Sequence, residues 1–145
     1  MRLVYRIVSD LFLLISPIII FYRILKGKED VKRFCERYAI NTKKRSHKNI
    51  IWFHCSSVGE LMSIVPILEK FEIKKNVHQI LVTTTTLSSS KIFSKLNLKK
   101  TTHQFFPIDN NFVLDKFLNY WSPSILFLCE LNICSTSFST DSIRA

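Results

Sequence analysis

The residues in this 145-residue chain best suited to chemistry are two carboxylates, Glu60 and Glu130, each at the end of an apolar run. Glu60 closes the stretch Ile50-Ile51-Trp52-Phe53-His54-Cys55-Ser56-Ser57-Val58-Gly59-Glu60, and apolar residues resume at once with Leu61, Met62, Ile64, Val65, Ile67 and Leu68. That order reads as strand, tight turn, helix. A carboxylate at the helix entrance sits at the positive end of the helix dipole, beside main-chain N–H groups that lack helical partners. Two carboxylates on one rim can divide the work of proton acceptor and electrostatic partner. The same spacing also makes a capping box, with Ser57 at the N-cap and Glu60 three residues on, and spacing alone favours that structural role. Gly59 is expected to give the turn a positive φ that a side chain would oppose.

Other candidates surround this turn. His54 ends the strand, where a hydrogen-bonded core histidine and a functional one look alike. Thr83-Thr84-Thr85-Thr86 with Ser88-Ser89-Ser90 offers hydroxyl donors for phosphate or sugar oxygens, or simply a strand end and a helix cap. No glycine-rich phosphate loop occurs, which argues against a dinucleotide or P-loop site, and no HxxxH, HExxH or DxD-like cluster points to a metal. Cys35, Cys55, Cys129 and Cys134 form no CxxC pair, which suits free thiols in a reducing compartment.

The elements that must position these groups follow from periodicity. Ile50–Phe53 is a predicted strand, 60–71 a helix, 79–84 a strand, 88–96 a helix, 101–106 a strand, 111–120 a helix and 125–129 a strand ending at Glu130. Strands alternating with helices imply an α/β fold with a Rossmann-like parallel sheet. Right-handed crossovers then gather His54, Ser56, Ser57, Glu60, Thr83–Thr86, Asp109 and Glu130 on one rim, where open α/β sheets take their ligands.

An apolar run, Leu11–Tyr22, precedes this domain. It is uncharged, interrupted by Pro17, and flanked by Arg2, Arg6 and Asp10 on one side and Arg23, Lys26 and Lys28 on the other. Shorter than the roughly 20 residues of a perpendicular span, it reads as a membrane-anchor helix dipping into one leaflet, with basic flanks on lipid phosphates. A short span remains open if the arginines snorkel. Residues 26–48 are densely charged. A helix over Asp30–Tyr38, with Val31, Phe34 and Cys35 on one side, and a basic loop to Asn49 are expected to form a solvated face or an electropositive ledge near the membrane. The formal net charge of +10 suits an anionic partner. A nucleic-acid partner ranks last, because the basic loop carries no interleaved aromatics and the charge is densest beside the apolar run. The resulting division is 1–28 anchor helix, 29–48 basic helix and loop, 49–132 Rossmann-like domain and 133–145 tail.

Taken in order, the apolar anchor, Gly27-Lys28-Glu29-Asp30, Arg33, Glu36-Arg37, His54-Cys55-Ser56-Ser57-Val58-Gly59-Glu60, Thr83–Thr86, Pro107-Ile108-Asp109 and Glu130 resemble the amino-terminal half of the bacterial 3-deoxy-D-manno-octulosonic acid (Kdo) transferases. The resemblance runs to about Asn132. It implies the acceptor domain of a two-domain GT-B glycosyltransferase at the cytoplasmic face of the inner membrane. Such an enzyme moves Kdo from CMP-Kdo to the lipid A precursor (lipid IVA) in lipopolysaccharide biosynthesis, with inversion, without a metal and with no cofactor beyond the donor. By the same resemblance Glu60 is the general base, exposed and facing the cleft, and Glu130 gives transition-state or structural support. His54, Ser56, Ser57, Gly59, Thr84, Thr86, Arg33 and Arg37 are then expected to bind substrate. The family follows its fourth strand with Glu-x-Glu-x-Trp-Pro; here Asn132, Cys134 and Ser135 replace the second glutamate, tryptophan and proline. The expectation is a truncated chain lacking the donor-binding domain, active only with a separately encoded carboxyl-terminal half, or else a catalytically inactive membrane-bound glycolipid-binding remnant.

Overall fold

The computed structural model describes residues 2–40, 42–46, 49–130 and 133–139, with side chains described between 7 and 129. Helix α1 spans Arg2–Leu25 and a 3₁₀ helix covers Phe34–Tyr38. There follow β1 (Ile50–Cys55), α2 (Val58–Ile73), β2 (Gln79–Thr84), α3 (Leu87–Phe93), β3 (Thr101–Phe105), α4 (Asn111–Trp121), β4 (Ile125–Glu130) and β5 (Ile133–Ser139). The sheet order is β3-β2-β1-β4-β5. The first four strands are parallel, and β5 is antiparallel on β4. The expected α/β fold with a parallel sheet and an apolar amino-terminal helix is therefore present. From β1 the chain steps outward to β2 and β3, then returns past β1 to β4. The direction reverses between β1 and β4, and the crevice beyond their carboxyl ends is the topological switch point.

The inner strands β1 and β2 are largely buried on both faces, which is why they read as apolar runs rather than alternating ones. One face packs Trp52, Leu81 and Leu126 against Val113, Phe117 and Trp121 of α4. The other packs Phe53, Ile80, Val82 and Cys129 against Leu61, Ile64 and Leu68 of α2. Polar atoms within these layers are paired: Trp121 Nε1 donates to Gln104 Oε1 at 2.8 Å, and Trp52 Nε1 to Thr83 Oγ1 at 2.9 Å.

Helix α1 has an inverted polarity. Ser9, Leu13, Ser16, Ile20 and Arg23, spaced four and three apart, form the stripe that meets the domain. Ser9 Oγ donates to Asp109 O at 3.1 Å, and Asn110 Nδ2 reaches both Ser9 Oγ and Asp10 Oδ1. Ser16 meets Tyr38 OH at 3.0 Å, and Arg23 pairs with Glu29. Most of the other apolar residues face outward, Leu14, Ile18 and Leu25 all being at least 70% exposed. Pro17 does not end the helix. The Leu13 carbonyl that Pro17 cannot satisfy accepts Ser16 Oγ at 2.7 Å instead.

The charged block after α1 departs most from expectation. The predicted helix over Asp30–Tyr38 shrinks to the 3₁₀ helix Phe34–Tyr38, because Asp30 Oδ1 accepts the Lys32 N–H in a local turn. Val31, expected on its apolar side, is exposed, whereas Glu29 and Glu36 are buried. Lys26, Lys28, Lys32, Lys43 and Lys44 are exposed, as a solvated face requires, but Arg33 and Arg37 are not free cations, since both turn inward onto these carboxylates. Glu36 accepts both Arg33 Nε and Nη2, and also the Phe105 main-chain N–H at 2.9 Å; Arg33 donates in turn to His103 O. The free edge of β3 is thus answered by an ion pair in place of another strand, which blocks edge-to-edge pairing. No strand was expected over 133–139, where polar residues outnumber apolar ones; hydrogen bonding to β4 makes it one.

Two outcomes follow. Glu36→Gln leaves the Arg33 guanidinium without its counter-charge in a buried site and should cost about 3 kcal/mol in urea unfolding, with unfolding at wild-type midpoint ruling out the edge role. His103, whose side chain contacts Arg33 and Thr84, has its pKa pushed down to about 3, chiefly by burial and then by the charges of Arg33 and Lys43. Folded His103 stays neutral while the unfolded imidazole protonates below about 6.5, so its contribution to stability is whole above that pH and is lost progressively down to about 3. By pH 5 the loss should be about 2 kcal/mol, and His103→Gln should flatten that part of the pH–stability curve.

Candidate functional site

Glu60 sits at the third position of α2, just past the carboxyl end of β1. Ser57 is the N-cap: its Oγ accepts the Glu60 N–H at 3.3 Å, and Glu60 Oε2 accepts the Ser57 N–H at 3.2 Å, closing a capping box. Oε2 also accepts the Ser56 N–H at 2.6 Å. Oε1 has no hydrogen-bond partner among the described residues. The expectation of an exposed carboxylate is corrected, for Glu60 is only 9% exposed, drawn in by the two N–H groups it satisfies. Gly59 is also corrected: α2 already begins at Val58, so Gly59 lies in the first helical turn, and the one glycine with positive φ is Gly27.

Around this carboxylate the switch point is closely built. Cys55 and Cys129 are lateral neighbours on β1 and β4. The Cys129 thiol is shifted down by a hydrogen bond with Cys55, against burial and the charge of Glu60. His54 Nδ1 lies 2.9 Å from Thr83 Oγ1, its Nε2 is 3.5 Å from Ser56 Oγ, and its ring packs on Phe106. Burial lowers the His54 pKa, while hydrogen bonding to Thr83 and the charge of Glu60 oppose that shift. Thr85 Oγ1 donates to Ser56 O at 2.6 Å, tying the end of β2 to the Glu60 turn.

The four threonines part company here. Thr84 is fully buried and bonded to His103 Nε2; Thr86 caps α3, accepting the Ser89 N–H; only Thr85 reaches the Glu60 turn. Since Arg33 can only donate to His103 Nδ1, the proton of that neutral imidazole is on Nε2, facing Thr84. Arg33 has all three guanidinium nitrogens engaged, by Glu36, Ser90 and His103. Arg37 pairs with Glu29 and donates to Thr85 O at 2.7 Å and to Phe106 O. Of the sequence-derived site residues, His54, Ser56, Ser57 and Glu60 stand together at the end of β1. Thr84, Thr86 and Arg33 serve inner contacts farther along the rim, and Arg37 reaches the turn only through Thr85. Glu130 ends β4 at the same crevice, and its side chain lies outside the described residues. Sequence reasoning missed Glu29 and singled out no function for Thr85 apart from its neighbours, since nothing local separates them from other acids and threonines.

The family model described as "3-Deoxy-D-manno-octulosonic-acid transferase (kdotransferase)" matches residues 32–137, most of the chain. The chain belongs to the Kdo transferase family. It is 42% identical over 130 residues to a 3-deoxy-D-manno-octulosonic acid transferase of Rickettsia bellii, covering 90% of this chain and 31% of that protein. It is 34% identical to a probable mitochondrial 3-deoxy-D-manno-octulosonic acid transferase of Arabidopsis thaliana, covering 88% of this chain and 29% of the relative. For the Rickettsia typhi transferase the identity is 31%, over 90% of this chain and 38% of the relative. The chain therefore spans about a third of the length of the curated relatives it matches. No solved structure matches it. The family match extends through residue 137, so it takes in the first part of the segment that reads as a divergent tail. In a Kdo transferase domain of this shape, the carboxylate at the switch point is both cap and candidate base, and substitutions separate the two roles. Glu60→Ala should cost about 1–2 kcal/mol of stability through lost capping. Glu60→Gln keeps an acceptor oxygen and should cost well under half of that, as denaturant titration in neutral detergent would measure.

Proposed function

We propose that this chain supplies the acceptor side of a Kdo transfer reaction, in which the sugar passes from CMP-Kdo to a hydroxyl of the lipid A precursor, lipid IVA. Family membership supports the reaction class, and the observation that carries the assignment of roles is Glu60 at the switch point with one carboxylate oxygen tied by main-chain N–H groups and the other without a partner among the described residues. In this reading Oε1 of Glu60 takes the proton from the acceptor hydroxyl as that oxygen attacks the anomeric carbon of Kdo. The bond from that carbon to the CMP phosphate breaks on the opposite face, inverting its configuration, and CMP leaves with the bonding electron pair. Ser56, Ser57 and His54 line the approach to the base, and Glu130 is assigned the role of second carboxylate. Thr84, Thr86, Arg33, Arg37 and Gly59 then support the substrate site through the framework they hold together.

The same reading places the chain at the cytoplasmic face of the inner membrane. Support comes from α1, which includes a 19-residue segment, Ile7–Leu25, long and apolar enough to cross a membrane. CMP-Kdo needs a second wall opposite this rim, which in the proposal comes from a carboxyl-terminal half. In this reading a carboxylate activates the nucleophile, and no metal is invoked. A second reading, glycolipid binding without turnover, is favoured by the near-burial of Glu60.

Kdo transfer from CMP-Kdo to lipid IVA, measured with the wild-type chain and with Glu60→Gln, each supplied with the carboxyl-terminal half of a Rickettsia relative, tests both. The first reading expects turnover that falls by about a hundredfold or more in the variant. Equal turnover in the two removes Glu60 from the mechanism, and lipid IVA binding without turnover in either establishes the second reading.

A further inference from the structure

A groove of about 250 Å³ opens between α1 and the rim. One wall is apolar: Phe12, Ile19 and Ile20 from α1, and Ile108 after β3. Ser16 and Arg23 of α1, with Glu29, Arg37 and Thr85, complete the lining. Phe12 and Ile19 also belong to the exposed apolar face of α1, so the groove begins where the helix would meet lipid. At its inner end Thr85 donates to Ser56 O, and the Ser56 N–H is held by Glu60 Oε2, each at 2.6 Å. Two hydrogen bonds thus separate the groove from the candidate base.

Its charge is uneven. Glu29 is buried and serves two guanidiniums, Arg37 at 3.0 Å and Arg23 at 3.0 Å. Two cations on one carboxylate leave an excess of one positive charge. Arg37 is 12% exposed and fully used inside, whereas the Arg23 side chain is 41% exposed. Arg23 gives only its Nε to Glu29, and its two terminal nitrogens have no acceptor among the described residues. An arginine fork presented this way matches the oxygens of a phosphate. The volume lies just below the range for whole drug-sized ligands, roughly 300–1,000 Å³, so it admits one chain and not an entire multi-chain lipid.

We infer that this groove seats one acyl chain of the acceptor glycolipid, with the adjoining phosphate on Arg23. The inference rests on the transferase reading, since it takes the occupant to be the molecule presented to Glu60. Burial of the chain against Phe12, Ile19, Ile20 and Ile108 supplies affinity, and Arg23 sets the depth at which the sugar stands beside the Glu60 turn. A neutral lipid of the same chain length would enter without being fixed in register.

The test is a titration of the full chain, in dodecyl maltoside, with dodecyl phosphate followed by phosphorus NMR, and with inorganic phosphate in parallel. Dodecyl phosphate should bind and inorganic phosphate should not, and lipid IVA should displace the probe. Arg23→Gln, which leaves the Arg37–Glu29 pair in place, and Ile19→Trp, which fills the groove from an exposed position, should each weaken binding about tenfold or more. Lys70→Gln, outside the groove lining, should leave it unchanged. Binding by Arg23→Gln or Ile19→Trp equal to wild type overturns the inference, as does an equal loss in Lys70→Gln, which would mean attraction to overall positive charge. Displacement by phosphatidylglycerol but not by lipid IVA overturns the choice of occupant. The two readings fail separately: normal binding in the groove variants with turnover lost in Glu60→Gln removes the groove alone, and groove-dependent binding without transfer removes only the catalytic reading.

Discussion

The buried carboxylate of Glu29, shared between Arg23 and Arg37, is the interaction on which the arrangement of this domain depends. Arg23 belongs to the outward-facing apolar helix, and Arg37 follows the 3₁₀ turn. Through Arg37 the same cluster reaches the main chain at the ends of β2 and β3, at Thr85 and Phe106. A carboxylate so buried is tolerated only when its oxygens are answered by charge and hydrogen bonds. That requirement fixes α1, the 3₁₀ segment and two strand ends in one geometry. The cluster need add little net stability to do this. Its effect lies in the cost of every arrangement that would leave one of the three charges unpaired.

The second ion pair, Glu36 with Arg33, works on the edge of the sheet. In a parallel sheet an unpaired edge strand offers main-chain groups to any passing strand. Here the Phe105 N–H and the His103 carbonyl are taken by side chains of a segment that is itself too short to form a strand. The same guanidinium sets the tautomer of His103, and that imidazole in turn occupies Thr84. Much of the polar character of the chain is thereby spent on architecture. What is left for chemistry is the crevice at β1 and β4, where the strand ends leave main-chain N–H groups for a carboxylate to hold.

α1 joins these two themes. Helices on soluble domains turn their apolar stripe inward; this one turns serines and an arginine inward beside Leu13 and Ile20, and leaves most of its leucines, isoleucines and phenylalanines outside. The polar stripe is specific enough to dock the helix on the domain, while the outer face has the composition of a lipid-facing surface. In the proposed reading, a rim held beside such a helix is held at a defined height from lipid. Substrate access and anchoring are then one geometrical problem.

The sequence by itself determined the layered fold, the order of strands and helices, the capping box at Ser57–Glu60 and the family, because each is written in local periodicity or in contiguous motifs. Only tertiary structure decided which charges are solvated and which are buried. Lys32 and Arg33 are adjacent and similar in type, yet one is exposed and the other has every guanidinium nitrogen engaged, because pairing depends on residues some 70 positions away along the chain. The four threonines are likewise indistinguishable until strand register sends Thr83 and Thr84 to opposite faces and brings Thr85 to the Glu60 turn. Burial of Glu60, the edge cover on β3 and the inverted face of α1 are properties of where elements meet, and periodicity describes each element only against itself.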